Sequence, residues 1–166
     1  MARRCFYCFH YERDFSRVAQ VRNIGVIDGS RPASDNEWET IVKGGEAAIK
    51  RWIAGQLEGR SCTIVLVGTH TANRFWINHE IVESWNRGMG VVGIRIHGLK
   101  NFDGFISSAG SNPFDFVTLR PSGKRLSALA KCYDPDGPDS KARYAWIAKY
   151  LVDAVEEAVA IRAANR

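Results

Sequence analysis

The stretch that decides the fold is Ser61 to Arg87, S-C-T-I-V-L-V-G-T-H-T-A-N-R-F-W-I-N-H-E-I-V-E-S-W-N-R. A β-branched and aliphatic run ends at Gly68, a short polar loop follows, and apolar residues then recur at helical spacing. This pattern predicts a buried strand feeding a helix, which is half of an α/β unit. At about 100° per residue, Ile77, Ile81 and Trp85 form the stripe expected to lie on the sheet, with Val82 and Ser84 on its flanks. Trp76 and Glu80, four residues apart, stack on another side of the same helix. In α/β sheets ligands sit outside the carboxyl ends of the strands, so the Thr69–Arg74 loop and the first turns of this helix are the expected site. An amphipathic helix with one stray surface tryptophan is the plainer alternative.

Upstream, Arg4–Phe9 reads as a first strand, and the segment from His10 as a helix with Phe15, Val18, Ala19 and Arg22 on one side. A short second strand is expected at Gly25–Ile27, parallel to the first. Asp28 to Asn36 is loop chemistry, and Ser34-x-x-Glu37 can cap a helix carrying Trp38, Ile41 and Val42. Gly44-Gly45 interrupts that pattern, and Glu46–Leu57 resumes it with Ile49, Trp52 and Ile53 inward. Downstream, Val91–His97 reads as a fourth strand and Phe116–Leu119 as a fifth. A last helix runs from Ser140 to Ala164, with Ile147, Tyr150, Leu151, Ala154, Val155, Ala158 and Val159 as its packing stripe. Alternating strands and helices imply a flavodoxin-like, doubly wound, five-stranded parallel sheet of order 2-1-3-4-5 in a three-layer α/β/α arrangement, one domain over residues 1–166. Its switch point brings together the loops after Phe9 and Val67.

Bulk chemistry narrows the class. The 166 residues are 45% hydrophobic and 25% charged, as in ordinary globular proteins. No apolar run approaches a membrane span, and the Met1-Ala-Arg-Arg start has no signal-peptide core, so a cytoplasmic protein without membrane contact is expected. The net charge of +5 suits an anionic ligand. No basic block of five or more occurs, so nucleic acid is not an expected partner. Cys5-Phe-Tyr-Cys8 has C-x-x-C spacing, but on a strand the two cysteines point to opposite faces, and no metal site is expected from them. The four histidines, His10, His70, His79 and His97, lack metal-ligand spacing as well. His10 and His70, which follow strands at the switch point, are candidate ligand contacts. Dinucleotide and phosphate-loop glycine motifs are absent. A phosphoacceptor receiver would need an aspartate where Gly68-Thr69 stands. No serine or cysteine is placed as a nucleophile, which leaves Glu80.

Taken together, Arg4-Cys-Phe-Tyr-Cys-Phe-His-Tyr, the strand and loop that follow, the Ser61–Glu80 stretch and Gly110-Ser-Asn-Pro-Phe resemble a TIR (Toll/interleukin-1 receptor) domain. The resemblance is closest to the bacterial TIR-like group that includes the signal-producing subunit of Thoeris anti-phage systems. Its most specific element is Trp76-x-x-x-Glu80, with Ile77 where many members carry a cysteine. The resemblance implies an NAD+ nucleosidase and cyclase of anti-phage defence. NAD+ would be its substrate rather than a bound cofactor, and its product a cyclic ADP-ribose isomer acting as a signal to a downstream effector. It further implies Glu80 as the catalytic acid residue, with Phe9, His10, Thr71, Asn73 and Trp76 lining the substrate site. Arg22 and Arg31 are candidates for the diphosphate, and the 28–45 segment for a cover that excludes water. A homo-oligomer assembled through TIR surfaces is part of the same expectation. A non-catalytic TIR-like interaction module is the alternative from another class.

Overall fold

The computed structural model describes residues 2–166; Met1, where the expectation about the chain's start begins, lies outside them. Five parallel strands, β1 (Arg4–Cys8), β2 (Asp28–Gly29), β3 (Cys62–Val67), β4 (Gly90–Arg95) and β5 (Cys132–Tyr133), form one sheet of order β2-β1-β3-β4-β5. The expected strand order is the observed one. Helices α1 (Tyr11–Arg22) and α5 (Ser140–Ala164) cover one face, and α3 (Gly45–Leu57) and α4 (Phe75–Asn86) the other. A fifth helix, α2 (Asp35–Lys43), lies outermost, leaning on α3.

Strand alternation builds this sandwich. The central strand β3 is buried along its whole length, so it has no polar face, as expected of a parallel strand covered on both sides. Its Ile64 and Leu66 join Val18, Val21, Ile147 and Leu151 in one core. Val65 and Val67 face Ile49, Ile53, Ile77, Ile81 and Trp85 in the other. The same alternation places Cys5 in the first core and Cys8 in the second, which accounts for the C-x-x-C pair being free thiols on opposite sides of the sheet.

Four local expectations shift. Strand β2 begins at Asp28 rather than Gly25, because its register pairs Cys5 with Gly29, and a Cβ at Gly29 would run into the Tyr7 ring. The Tyr7 N–H then donates to the Ser30 hydroxyl at 2.9 Å, tying the next residue to the sheet edge. The fifth strand is Cys132–Tyr133, not Phe116–Leu119. Asn112 accepts from the Phe114 N–H and starts a 3-10 turn over Pro113–Phe116, which bends that segment off the sheet. Thr118 bridges only to Arg125. Gly93, opposite Cys132, leaves the space that β5 needs, since a Cβ there would crowd the Cys132 side chain. On α1 the inward residues are Asp14, Arg17, Val18 and Val21, while Phe15 stands exposed. On α5, Tyr150 likewise turns outward to stack beside Trp146, and the rest of the expected stripe is wholly or largely buried.

Helix α2 starts where its sequence dictates. Ser34 accepts from the Glu37 N–H at 3.2 Å, and the Ser34 N–H donates to the Glu37 carboxylate at 3.0 Å, a complete capping box. It ends at Gly44, and Gly45, with φ of 81°, turns the chain into α3.

Two glycines should respond oppositely to alanine. Gly29→Ala must displace the buried Tyr7 ring and should lower the free energy of unfolding by about 1–3 kcal/mol. Gly55→Ala, on an exposed turn of α3 with open space around it, should raise it by up to about 1 kcal/mol. Urea denaturation of both variants checks the pair of signs.

Candidate active site

A cavity of about 680 Å³ opens at the carboxyl end of β1, on the α3/α4 side of the sheet. Its inner wall is Phe6 and Tyr7 of β1, continued by Phe9 and His10 as the chain leaves the strand. Arg74, Phe75, Trp76, Ile77 and Glu80, from the start of α4, form a second wall. The strap after β2, Ser30 to Ala33, and Trp38 of α2 close it from outside, with Trp52 of α3 behind them. Trp38 and Trp52 meet edge to face with ring centroids 5.9 Å apart, so an aromatic contact seats α2 at the cavity mouth.

The reason Trp76 and Glu80 face this space is the helical register of α4. Ile77, Ile81, Ser84 and Trp85 are taken up by the sheet, and Ser84 bonds to Thr63 of β3 at 2.6 Å. That leaves the adjoining side, carrying residues 76 and 80, turned to the cavity. Trp76 packs its ring edge to face against both Phe75 and His79, at 4.9 and 5.5 Å between centroids.

Glu80 is half-buried as a residue and lines the cavity along with Phe6, Trp76 and Ile77. Burial pushes its carboxyl up to about 8, opposed only by the influence of the Cys8 thiol. The Cys8 thiol is itself raised well above the usual range, by burial first and then by Glu80. His10 is held below its ordinary value by burial and by the neighbouring Arg74 guanidinium, so it is neutral at pH 7. The site therefore combines a carboxyl in an apolar pocket, several aromatic faces, a neutral imidazole and the two guanidinium groups of Arg31 and Arg74 near the mouth.

Of the residues expected at the site, Phe9, His10, Trp76 and Glu80 line this cavity, as does Arg31. Thr71 and Asn73 do not. Thr71 is fully buried, its hydroxyl accepting from the Gly68 N–H at 2.8 Å and lying against the Asp14 carboxyl. Asp14 is itself buried beside Arg17, with 3.7 Å between charged atoms, and burial raises its carboxyl despite that partner. Arg17 in turn donates to the Leu99 and Phe105 carbonyls at 2.7 and 2.9 Å. Thr71 thus belongs to a scaffold under the β3–α4 loop. Asn73 takes the left-handed backbone conformation, φ 60°, in an exposed turn and accepts from the Asn78 amide at 3.3 Å. His70 is exposed and Arg22 sits at the far end of α1, both off the cavity.

Arg74, Trp38 and Trp52 are site residues that periodicity did not single out. Trp52 shares the helical spacing of the core residues Ile49 and Ile53, which disguised it, and Trp38 was grouped with Ile41 and Val42 as part of an apolar helix face. Arg74 is held by its own Nε donating to the His70 carbonyl at 2.6 Å, a loop contact with no sequence signature. Among the described residues no group of three or more His, Cys, Asp or Glu side chains is arranged to hold a metal ion, and no helix is long and apolar enough to cross a membrane.

Comparison with known proteins agrees with this geometry. The family described as "Thoeris protein ThsB, TIR-like domain" matches residues 6–101, which span β1 through β4 and every wall of the cavity. A protein of Bacillus cereus (strain MSX-D12) named "Putative cyclic ADP-D-ribose synthase ThsB1" is 40% identical over 134 residues, 76% of this chain and 69% of that protein. With the five-stranded order, the Trp76/Glu80 pair at the cavity and these two matches in agreement, the chain belongs to the Thoeris ThsB TIR-like domain family.

Proposed function

We propose that this protein cleaves NAD+ at the nicotinamide–ribose bond and closes the resulting ADP-ribose on itself, producing a cyclic ADP-ribose isomer that signals to a downstream effector in anti-phage defence. The observation that carries the proposal is the Glu80 carboxyl in an aromatic-walled cavity large enough for a dinucleotide. The relative's name, which specifies a cyclic ADP-D-ribose synthase, supports it. Glu80 is the catalytic residue in this reading.

The chemistry suits a single carboxylate. Nicotinamide leaves as a neutral molecule and needs no general acid, so the barrier lies in the positive charge that develops on the ribose. A carboxylate beside that ribose stabilises the charge where water cannot screen it, an effect worth about 3–4 kcal/mol when a comparable group is removed. In the free protein most Glu80 side chains are protonated at pH 7, because apolar surroundings disfavour the anion. The cationic nicotinamide riboside favours the ionised form as it enters, so substrate charge and catalyst charge arise together. Phe9, His10 and Trp76 bound the ribose and base, and Arg31 and Arg74 meet the diphosphate. The strap with Trp38 and Trp52 excludes water, which selects closure of the ring over hydrolysis.

Assembly into a homo-oligomer belongs to the same proposal. Phe102, Phe105 and Ile106 are 79%, 68% and 62% exposed. Their loop is nevertheless pinned at its base by Arg17, by Gln20 donating to the Lys100 carbonyl, and by Asn101 accepting from two backbone N–H groups. An ordered loop presenting large apolar groups to solvent fits a contact with a second copy.

Three kinds of measurement test the proposal. Glu80→Gln should lower nicotinamide release at least a hundredfold, measured by mass spectrometry of NAD+ products in phage-infected lysate as well as with purified protein; retained turnover would remove Glu80 from the mechanism. In the wild type, kcat/KM should climb about tenfold per pH unit below 8 and level off above it, as the free carboxyl ionises. The same burial has a stability sign. Because the folded-state value lies above the ordinary 4.5, the stability linked to Glu80 is complete below pH 4.5 and is lost as pH rises to about 8. In urea denaturation, Glu80→Gln should therefore exceed wild type in stability by a few kcal/mol at pH 8 and match it near pH 4, since each pH unit by which the fold raises a carboxyl is worth about 1.4 kcal/mol. Finally, the double variant Phe102→Asp/Phe105→Asp should weaken self-association at least tenfold in sedimentation velocity. A wild type that stays monomeric at all concentrations, with NAD+ present, would rule out this contact.

A further inference from the structure

A second concavity, of about 710 Å³, adjoins the strap that closes the candidate active site. Strand β2, at the edge of the sheet, lines it with Asp28 and Gly29, and α1 contributes Tyr11 and Phe15. Gln56 of α3 and Arg60, just past that helix, complete it. Neither Phe15, Gln56 nor Arg60 lines the cavity that holds Glu80, and neither Glu80 nor Trp76 lines this groove. The strap residues Arg31, Pro32 and Ala33 line both, so they form a common wall.

The groove's carboxylates are already engaged. Asp28 faces the Arg4 guanidinium at 3.7 Å, and Glu37 accepts the Ser34 N–H at 3.0 Å in the capping box of α2. Its guanidinium groups are not: among the described residues neither Arg31 nor Arg60 has an ion-pair partner. Arg60 is nonetheless held in place, its Nε donating to the Gln56 carbonyl at 2.6 Å and a terminal nitrogen to the Cys5 carbonyl at 3.0 Å. Two contacts leave the other donors of its fork for a ligand. Burial and the nearby Arg4 disfavour the Arg60 charge more than Asp28 relieves it, so an incoming anion would meet a fixed, uncompensated cation. On α1, Tyr11 and Phe15 stand one turn apart with ring centroids 5.2 Å from each other, and both are more than two-fifths exposed. Exposed rings beside fixed guanidinium groups suit a flat base joined to a phosphate.

We propose that this groove is a second ligand site, distinct from the Glu80 cavity, which binds a nucleoside phosphate with its base against Tyr11 and Phe15 and its phosphate held by Arg60 and Arg31. A nucleic-acid strand fits less well, because it needs cations repeated along its backbone and the groove's remaining charged groups are carboxylates. Since Arg31 belongs to both spaces, filling the groove draws that guanidinium and the strap away from the inner cavity. An occupied groove therefore slows NAD+ turnover, a consequence that rests on the reading of the inner cavity as the NAD+ site; the binding itself does not.

The test is isothermal titration calorimetry in the absence of NAD+, with AMP, adenosine, ribose 5-phosphate and inorganic phosphate as probes. AMP should bind about tenfold or more tightly than any of the other three, since each of them lacks the base or the phosphate. Its affinity should fall as salt is raised. Arg60→Gln and Phe15→Ala should each weaken AMP about fivefold or more. Arg60→Gln also gives up two carbonyl contacts of the fold, so Phe15→Ala, at an exposed position, is the variant that decides. Trp76→Ala, in the inner cavity alone, should leave AMP binding as in the wild type. AMP that binds no more tightly than inorganic phosphate marks an adventitious anion only and overturns the proposal. A loss in Trp76→Ala with full binding in Phe15→Ala overturns it as well, by placing the nucleotide beside Glu80. None of these outcomes bears on Glu80 as the catalytic group, because no turnover is read. Nicotinamide release with and without AMP then tests the shared wall: wild type should be slowed and Phe15→Ala spared, and equal slowing of both would overturn the link through Arg31.

Discussion

A carboxyl confined among rings and aliphatic carbons is the constraint to which the rest of this protein answers. Burial raises the Glu80 carboxyl to about 8, with the Cys8 thiol the one influence that opposes it, so its surroundings favour the neutral form at pH 7. An ordinary surface glutamate would stabilise nothing in particular and would be fully hydrated. Here the two hydrophobic cores on either side of β3 supply the stability that allows one helix to carry an acid inward. The cavity's aromatic walls then give that acid apolar surroundings, which disfavour its charged form.

The position of that acid follows from a chain of simple requirements. Alternation along β3 and β1 assigns each residue to one core or the other, and the 3.6-residue period of α4 turns Ile77, Ile81 and Trp85 to the sheet. Trp76 and Glu80 are left on the adjoining face. The β3–α4 loop that sets the helix's starting point is held from below by Asp14 and Thr71, with Gly68 so close to the Asp14 carboxyl that a side chain there would collide. Arg17 extends this scaffold to the loop bearing Phe102 and Phe105. The buried polar groups of α1 therefore position α4 on one side and the exposed apolar loop on the other.

Much of this was legible from residue order. Periodicities of two and 3.6 located β1, β3, β4 and every helix from α1 to α5, and the even spacing of strand and helix implied the sheet order. The Trp76/Glu80 pair stood out because it violated the core stripe of its own helix. What escaped were features fixed by contacts distant in sequence. The two-residue β2 and β5 are strands only because Gly29 and Gly93 admit their neighbours. The resemblance placed Thr71 and Asn73 at the pocket, yet the hydroxyl of one takes the Gly68 N–H and the backbone of the other is committed to a left-handed turn. Arg74 and Trp38 entered the site through a loop carbonyl and a ring-to-ring contact, neither of which leaves a periodic trace.

The outermost helix separates two properties that enzymes often find in conflict. None of α2's residues is buried, and it rests on α3 largely through the Trp38–Trp52 contact and the partly covered Ile41. Lifting it would uncover little apolar surface and would break no strand pairing, so the free energy of widening the mouth is small beside that of unfolding the sheet. Guest exchange and structural endurance are thereby assigned to different layers. Changes in α2 can retune how fast a guest enters or leaves the cavity without drawing on the cohesion of the central strands.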